Sequence, residues 1–195
     1  MGNTTQNIQK LRKSMGVGIM DAKKSLQDAG GDMKKAEGLL KAKGAKSAEK
    51  RADRETHEGW IGEYVHANGK EAGLVALACE TDFVARTDDF KSLAHDLALH
   101  AVAMRPKYLK PEDVPAEVLA EEEVAWKKQL EDEKKPANII ENILKGKREK
   151  YYAEVCFIKQ AYVKDDEQTI EEVVTAAITK LGENIQIIGF TLLAL

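Results

Sequence analysis

The side chains best equipped for chemistry are few, and their spacing argues against covalent catalysis. Cys79 and Cys156 are the two thiols of the chain. Each lies in an apolar run where a reduced, buried thiol is expected, and neither an oxyanion loop nor a nucleophile signature accompanies Cys79. His57, His66, His95 and His100 lack the i, i+4 pairing of a helical zinc site, and Asp82, Asp88 and Asp89 do not follow a calcium loop. Gly62 and Gly69-Lys70 are spaced wrongly for a phosphate-binding loop, with Glu71 in the Ser/Thr place. Glu121, Glu122 and Glu123 belong to a charge run that a solvated helix face explains. The expectation is a binding protein with no catalytic residue, no metal and no cofactor.

One segment stands apart. Thr81-Asp82-Phe83-Val84 directly follows an apolar strand, and two readings compete for it. In the local one Thr81 or Asp82 caps a short turn and Phe83 tucks into the core, which residue chemistry alone favours. In the functional one a tight connection at the end of a sheet presents an aromatic wedge beside a carboxylate.

The elements that must position this segment are legible from periodicity and punctuation. Ile8, Leu11, Arg12 and Met15 follow helical spacing after the candidate caps Thr4 and Thr5, and Gly16-Val17-Gly18 breaks the helix. A second helix begins near Ile19 and Met20 and stops at Gly30-Gly31. Asp32 caps a third, expected to end at Gly44. Residues 45 to 55 alternate alanine with charge and read as a solvated helical linker. Trp60 to Val65, Asn68-Gly69 and Leu74 to Cys79 spell a hairpin. Asp88 and Asp89 are candidate caps for a helix carrying Phe90, Leu93, Ala94, Leu97, Ala98, Ala101 and Met104. A charged helix is expected from about Ala116 to Lys135, and Pro136 opens another through Ile139, Ile140, Ile143 and Leu144. A short strand is expected around Val155, Phe157 and Ile158, a helix from Thr169 to Leu181 stopped by Gly182, and a terminal strand from Ile185 to Leu192. The resulting class is α+β: a three-helix bundle over 1–44, a charged linker over 45–55, and a core over 56–195 with a small antiparallel sheet packed with helices.

Composition narrows the partners. With 195 residues, 43% hydrophobic and 32% charged, the chain is globular and long enough for a substantial core. No apolar run approaches a membrane span and the first residues show no signal-peptide core, so a soluble, cytoplasmic protein is expected. Residues 1–55 hold 13 basic and 7 acidic side chains, net +6, and the remainder is net −9. The basic segment has no aromatic residue to stack a base on, so direct nucleic-acid binding is not expected.

Two motifs then carry a family resemblance. Leu11-Arg12-Lys13-Ser14-Met15-Gly16-Val17-Gly18-Ile19-Met20-Asp21-Ala22-Lys23-Lys24-Ser25-Leu26 and Cys79-Glu80-Thr81-Asp82-Phe83-Val84-Ala85-Arg86 are similar to the signatures of the bacterial elongation factor Ts family, in the same order and separation. The likeness continues through Lys147 to Tyr151, Gln160 to Asp165 and Leu181 to Ile185. It implies a ubiquitin-associated-like fold for residues 1–44 and guanine-nucleotide exchange on elongation factor Tu, in its GDP-bound and nucleotide-free states. It also implies that Thr81, Asp82, Phe83 and Val84 enter the partner beside its magnesium and phosphate site. Arg12, Ile19 and Met20 match contact positions in the N-terminal domain, and His66, Leu181 and Gly182 match further ones in the core.

The chain departs from the family pattern at Met15, where Thr is expected, and at Ile19, usually Met. It also resembles the short members with a single core copy, which implies a homodimer completed through the terminal strand. No cysteine follows Cys156, so such a dimer is expected to be noncovalent. Two alternatives stay open at this stage: a ubiquitin-binding adaptor built on Met15-Gly16-Val17, and an RNA binder using the basic arm.

Overall fold

The computed structural model describes residues 5–133 and 135–195, without the side chains of Ala137 and Asn138. Three helices open the chain: α1 (Thr5–Met15), α2 (Ile19–Asp28) and α3 (Met33–Glu49). Leu11, Ala22, Leu26, Ala29, Ala36 and Leu40 face one another at the expected periodicity and form a small core of their own. Gly16 at φ +63°, and Gly30 and Gly31 at +63° and +90°, make the left-handed turns that end α1 and α2. The Asp32 carboxylate accepts the Lys35 N–H at 3.1 Å and caps α3. Of the two candidate caps of α1, Thr5 is the first residue of the helix and Thr4 lies outside the described residues.

Gly44 does not stop α3, which continues to Glu49. The glycine is buried where α3 crosses α8 (Ile170–Leu181), and a Cβ there would lie 3.0 Å from Thr179 Oγ1. It is a close-approach residue inside a helix rather than a terminator. The expected linker therefore begins as the last turn of α3, with Ala48 packed on the main core, and only 50–54 turn away from the helix axis.

The expected hairpin is present as β1 (Glu58–Val65) and β2 (Glu71–Cys79), with Asn68-Gly69 inside a five-residue turn rather than a two-residue one. Asn68 Oδ1 accepts the Lys70 N–H, and Gly69 sits at φ +67°. Beyond β2 come a one-turn helix, α4 (Asp82–Ala85), and the long α5 (Asp88–Met104). The cap of α5 is Thr87, whose Oγ1 accepts the Phe90 N–H, rather than Asp88 or Asp89, which occupy the first turn.

Next, α6 (Ala116–Asp132) and α7 (Ala137–Val155) form a helical hairpin. Arg148 Nε donates to Glu123 at 2.7 Å and Trp126 meets the edge of Tyr151, tying the two helices together. The first helix is shorter than expected, ending at Asp132, and Lys134 lies outside the described residues. The strand expected at Val155 to Ile158 is absent. The helix α7 extends through Val155, and Phe157–Lys159 form a 3-10 turn whose N–H groups at Phe157 and Ile158 are taken by the Tyr108 and Leu109 carbonyls. A small hairpin not expected from the sequence, β3 (Ala161–Tyr162) with β4 (Asp165–Thr169), leads into α8. Thr169 caps α8 in a reciprocal capping box with Glu172, and Gly182 ends it.

The chain closes with β5 (Ile185–Ala194), which pairs antiparallel with β2 to complete a sheet ordered β1-β2-β5. Helix α5 lies across one face of this sheet so closely that a Cβ on Gly62 would meet the Ala94 carbonyl at 2.1 Å. Val75, Leu77 and Cys79 of β2 pack against Phe90, Ala94, Leu97 and Ala101 of α5, with Phe157, Ile170, Ile178 and Ile185 closing the core. The class is α+β, with the N-terminal helices seated on α8.

Inside this core His100 is fully buried. Its Nδ1 accepts the Val163 N–H at 3.2 Å, so Nε2 carries the proton and donates to Gln160 Oε1 at 3.0 Å. Burial holds its pKa below the ordinary histidine value. The neutral form is favoured in the fold while the unfolded chain titrates near 6.5, so this contribution is complete above about pH 6.5 and is lost as pH falls below it. The expected outcome is a urea midpoint that is lower at pH 5.5 than at pH 7.5. The drop should be smaller in His100→Gln, as chemical denaturation at the two pH values will show.

Candidate functional site

The β2–β5 ladder ends at the Cys79↔Ile185 pair. Beyond it the backbone of Glu80 and Thr81 is held by side chains. Glu183 Oε2 accepts the N–H groups of Glu80 and Thr81 at 3.1 and 3.0 Å, and Glu183 Oε1 accepts the Thr81 hydroxyl at 2.6 Å. In return Glu80 Oε1 accepts the Asn184 N–H at 2.6 Å, and Arg54 lies 3.3 Å from both Glu80 oxygens. Asn184 is buried and its Nδ2 donates to the carbonyls of Ala52 and Arg54, so the end of the linker is tied to the same junction.

Thr81, in extended backbone, caps α4 by accepting the Val84 N–H. Ala85 is the residue of α4 that enters the core, at 4% exposure. Phe83 precedes it by two positions, roughly 200° around a helix, and so points away from the core. It is 81% exposed. The local reading thus holds for the Thr81 cap and fails for Phe83, because a single turn that buries Ala85 cannot also bury Phe83. Val84 is half-buried against the core, and Asp82 pairs with Arg86 at 3.1 Å on the exposed rim. The second boundary of the turn is Thr87, whose hydroxyl donates to the Val84 carbonyl at 2.8 Å. An aromatic ring beside a carboxylate therefore projects from a short backbone segment anchored at both ends.

The other candidate residues fall into separate regions. Ile19 and Met20 open α2 and are 55% and 71% exposed, while Ala22 and Leu26 on the same helix are buried. Arg12 is exposed on α1. The turn between these helices touches the core through Gly16, which faces the Lys180 stem, and Lys180 in turn pairs with Asp89 at 2.8 Å. Leu181 is half-buried, and Gly182 at φ +81° is the helix stop whose carbonyl accepts Arg51 Nε at 3.0 Å. These two adjoin Glu183 and so lie beside the Thr81 turn. His66 is exposed at the opposite end of the hairpin, its Nδ1 3.2 Å from the Tyr64 hydroxyl. Its pairing with Glu71, eight residues along β2 from Cys79, places it roughly 25 Å or more from Thr81.

Sequence reasoning did not single out Glu80, Glu183 or Asn184. All three lie within the stretches that carry the family resemblance, and Glu183 and Asn184 also stand directly between a glycine stop and a buried strand, where their side chains must find partners.

The sequence model of the family described as Elongation factor TS matches residues 33–195. The chain is 50% identical over 184 residues to the protein named Elongation factor Ts of Thermotoga petrophila, covering 94% of this chain and 92% of that one. It is 48% identical over 184 residues to the Elongation factor Ts of Thermotoga maritima, with the same coverage. To that of Anaeromyxobacter dehalogenans it is 46% identical over 183 residues, covering 94% and 84%.

Cys79 borders the turn without the properties of a nucleophile. Burial, with the nearby Glu183 charge adding to it, pushes its thiol up to about 11, and Sγ donates to the Thr81 carbonyl at 3.2 Å. Cys156 is likewise buried and pushed up to about 11. The native protein at pH 7.5 should therefore show no fast-reacting thiol in an Ellman titration, and both thiols should react at once in guanidinium.

Proposed function

We propose that this chain, which belongs to the elongation factor Ts family, promotes GDP release from elongation factor Tu by inserting the Thr81–Val84 turn into the nucleotide-binding region of that partner. The observation that carries this reading is Phe83, 81% exposed at the tip of a one-turn helix whose flanks are hydrogen-bonded to the core. A large exposed aromatic on a held turn is suited to displace partner elements, since burying it contributes about 1.5 to 3 kcal/mol to the complex. The neighbouring Asp82 brings a carboxylate that competes for magnesium-bound or hydrogen-bonding groups. No covalent chemistry is required of either side chain.

The thermodynamic basis is linkage. A factor releases GDP only if it binds the nucleotide-free partner more tightly than the GDP-bound one, and the antagonism is reciprocal, so GTP binding expels the factor. The N-terminal helices, which resemble a ubiquitin-associated domain, supply a second point of contact through Arg12, Ile19 and Met20, and the core adds His66, Leu181 and Gly182. The same helices on a ubiquitin-binding adaptor would leave the exposed Phe83 without a role. The reading places the protein in the cytoplasm, acting on the partner without touching nucleic acid.

We further propose a noncovalent homodimer formed through β5 and the sheet face opposite α5. Ile61, Val65, Leu74, Ile188 and Leu193 are exposed on that face, at 47% to 69%. A second copy is the occupant it suits: the apolar side chains span all three strands, with Glu63 and Thr191 flanking Leu74 as polar points among them, and β5 is an open edge.

The exchange reading is tested by stopped-flow release of fluorescent GDP from elongation factor Tu. Wild type should accelerate release, and Phe83→Ala should lose most of it, on the order of tenfold or more, with Asp82→Ala losing less. No acceleration by folded wild type would reject the function. The dimer is tested by equilibrium sedimentation at micromolar concentration: wild type should show twice the chain mass and Leu74→Glu the mass of one chain. A wild type that sediments as one chain throughout would remove the dimer.

A further inference from the structure

We infer that Glu183 is a positioning residue for exchange, holding the Thr81–Val84 turn in the orientation from which Phe83 enters the partner. This rests on the exchange reading above and deepens it.

Three donors from two consecutive residues converge on the Glu183 carboxylate, and together they fix both the backbone and the side chain of the residue that caps α4. Helix α4 has only four residues, Asp82–Ala85. One turn of helix does not sustain itself in water, because nucleation costs more than a single turn returns. Its direction must be imposed from outside. On the chain side of Phe83 that imposition comes from Glu183 through Thr81, while Thr87 secures the exit. The two strands have already parted at this point, the last ladder pair being Cys79↔Ile185, so no backbone partner substitutes for the carboxylate.

Glu183 is itself aimed. Gly182 at φ +81° ends α8 in the left-handed conformation, and the turn is fastened by Arg51 donating to the Gly182 carbonyl. On the other side Asn184 is buried, bonded to Glu80 through its own N–H and to the linker through its amide. A residue held between two such neighbours has little freedom, which is the condition for it to act as a ruler for the turn.

What this role requires is reach, not charge. Glutamine keeps the same length, offers one oxygen to the two backbone N–H groups, and leaves its amide against a hydroxyl that can rotate to accept. Aspartate keeps the charge and withdraws both oxygens by about 1.5 Å, out of hydrogen-bond range. Both variants are polar and mild, so each yields a folded protein to assay.

The test is a titration of elongation factor Tu carrying fluorescent GDP with wild type, Glu183→Gln and Glu183→Asp, reading the plateau release rate separately from the half-saturating concentration. Glu183→Asp should lower the plateau about tenfold with a half-saturating concentration within about threefold of wild type, and Glu183→Gln should keep the plateau within about threefold. A merely structural role would reduce the folded fraction, raising the apparent half-saturating concentration and leaving the plateau intact. If wild type accelerates release and Glu183→Asp reaches the wild-type plateau, or Glu183→Gln falls as far as Glu183→Asp, the positioning role is overturned and the exchange reading stands. If wild type itself gives no acceleration, the exchange reading fails.

Discussion

At the end of the β2–β5 ladder two backbone N–H groups lose their strand partner, and a side chain 102 and 103 positions further along the chain takes its place. The need to satisfy those groups organises the whole region. Glu183 must lie immediately after α8, α8 must stop at a residue that tolerates positive φ, and the following Asn184 must turn inward so that β5 can begin at Ile185. The linker is drawn in by the same accounting, since its carbonyls at Ala52 and Arg54 are what the Asn184 amide bonds. A junction that began as an edge effect of a three-stranded sheet thus ties the N-terminal helices, α8 and the Thr81 turn to one point.

Packing of α5 on the sheet supplies the rigid base for that point. The helix approaches so closely at Gly62 that no side chain fits between them, and α5 buries Phe90, Ala94, Leu97 and Ala101 on the face that β2 presents. Because α4 is joined to α5 through Thr87, the exit of the Phe83 turn inherits the position of α5, just as its entrance inherits that of α8 through Glu183. Two independent supports of this kind restrict a short loop far more than its own hydrogen bonds would. An aromatic side chain held in this way enters an interface with its backbone entropy already spent in folding, so more of its burial appears as binding.

The parts legible in the sequence were those governed by local periodicity. The spacing of Phe90 to Ala101, the Thr169 and Gly182 punctuation of α8 and the Asn68-Gly69 hairpin all correspond to elements found, because in each case neighbouring residues decide the outcome. Errors came where a distant partner decides. Gly44 reads as a helix stop but serves the crossing with Thr179; Val155 to Ile158 reads as a strand, but its only strand-like pairing among the described residues is the Tyr108↔Cys156 bridge, after which the chain closes a 3-10 turn on Lys159 and Gln160. Phe83 is the instructive case at the site, since hydrophobicity alone assigns it to a core that helical geometry reserves for Ala85. Glu183 left almost no trace, because its partners are over a hundred residues away and its carboxylate looks like any other after a glycine.

The proposed exchange mechanism places a limit on how strongly any of these contacts can act. A turn that bound the nucleotide-free partner without bound would trap it, so the affinity added by Phe83 must remain below what GTP can reverse. In the proposed mechanism a single aromatic at the tip of a four-residue helix suits that requirement, and the proposed second contact on the N-terminal helices would raise encounter without deepening the wedge. The rigidity of the junction then matters more than the area of the interface. Under that proposal it would direct a modest amount of burial at one place in the partner, where displacement of a nucleotide-binding element can exceed the cost of moving it.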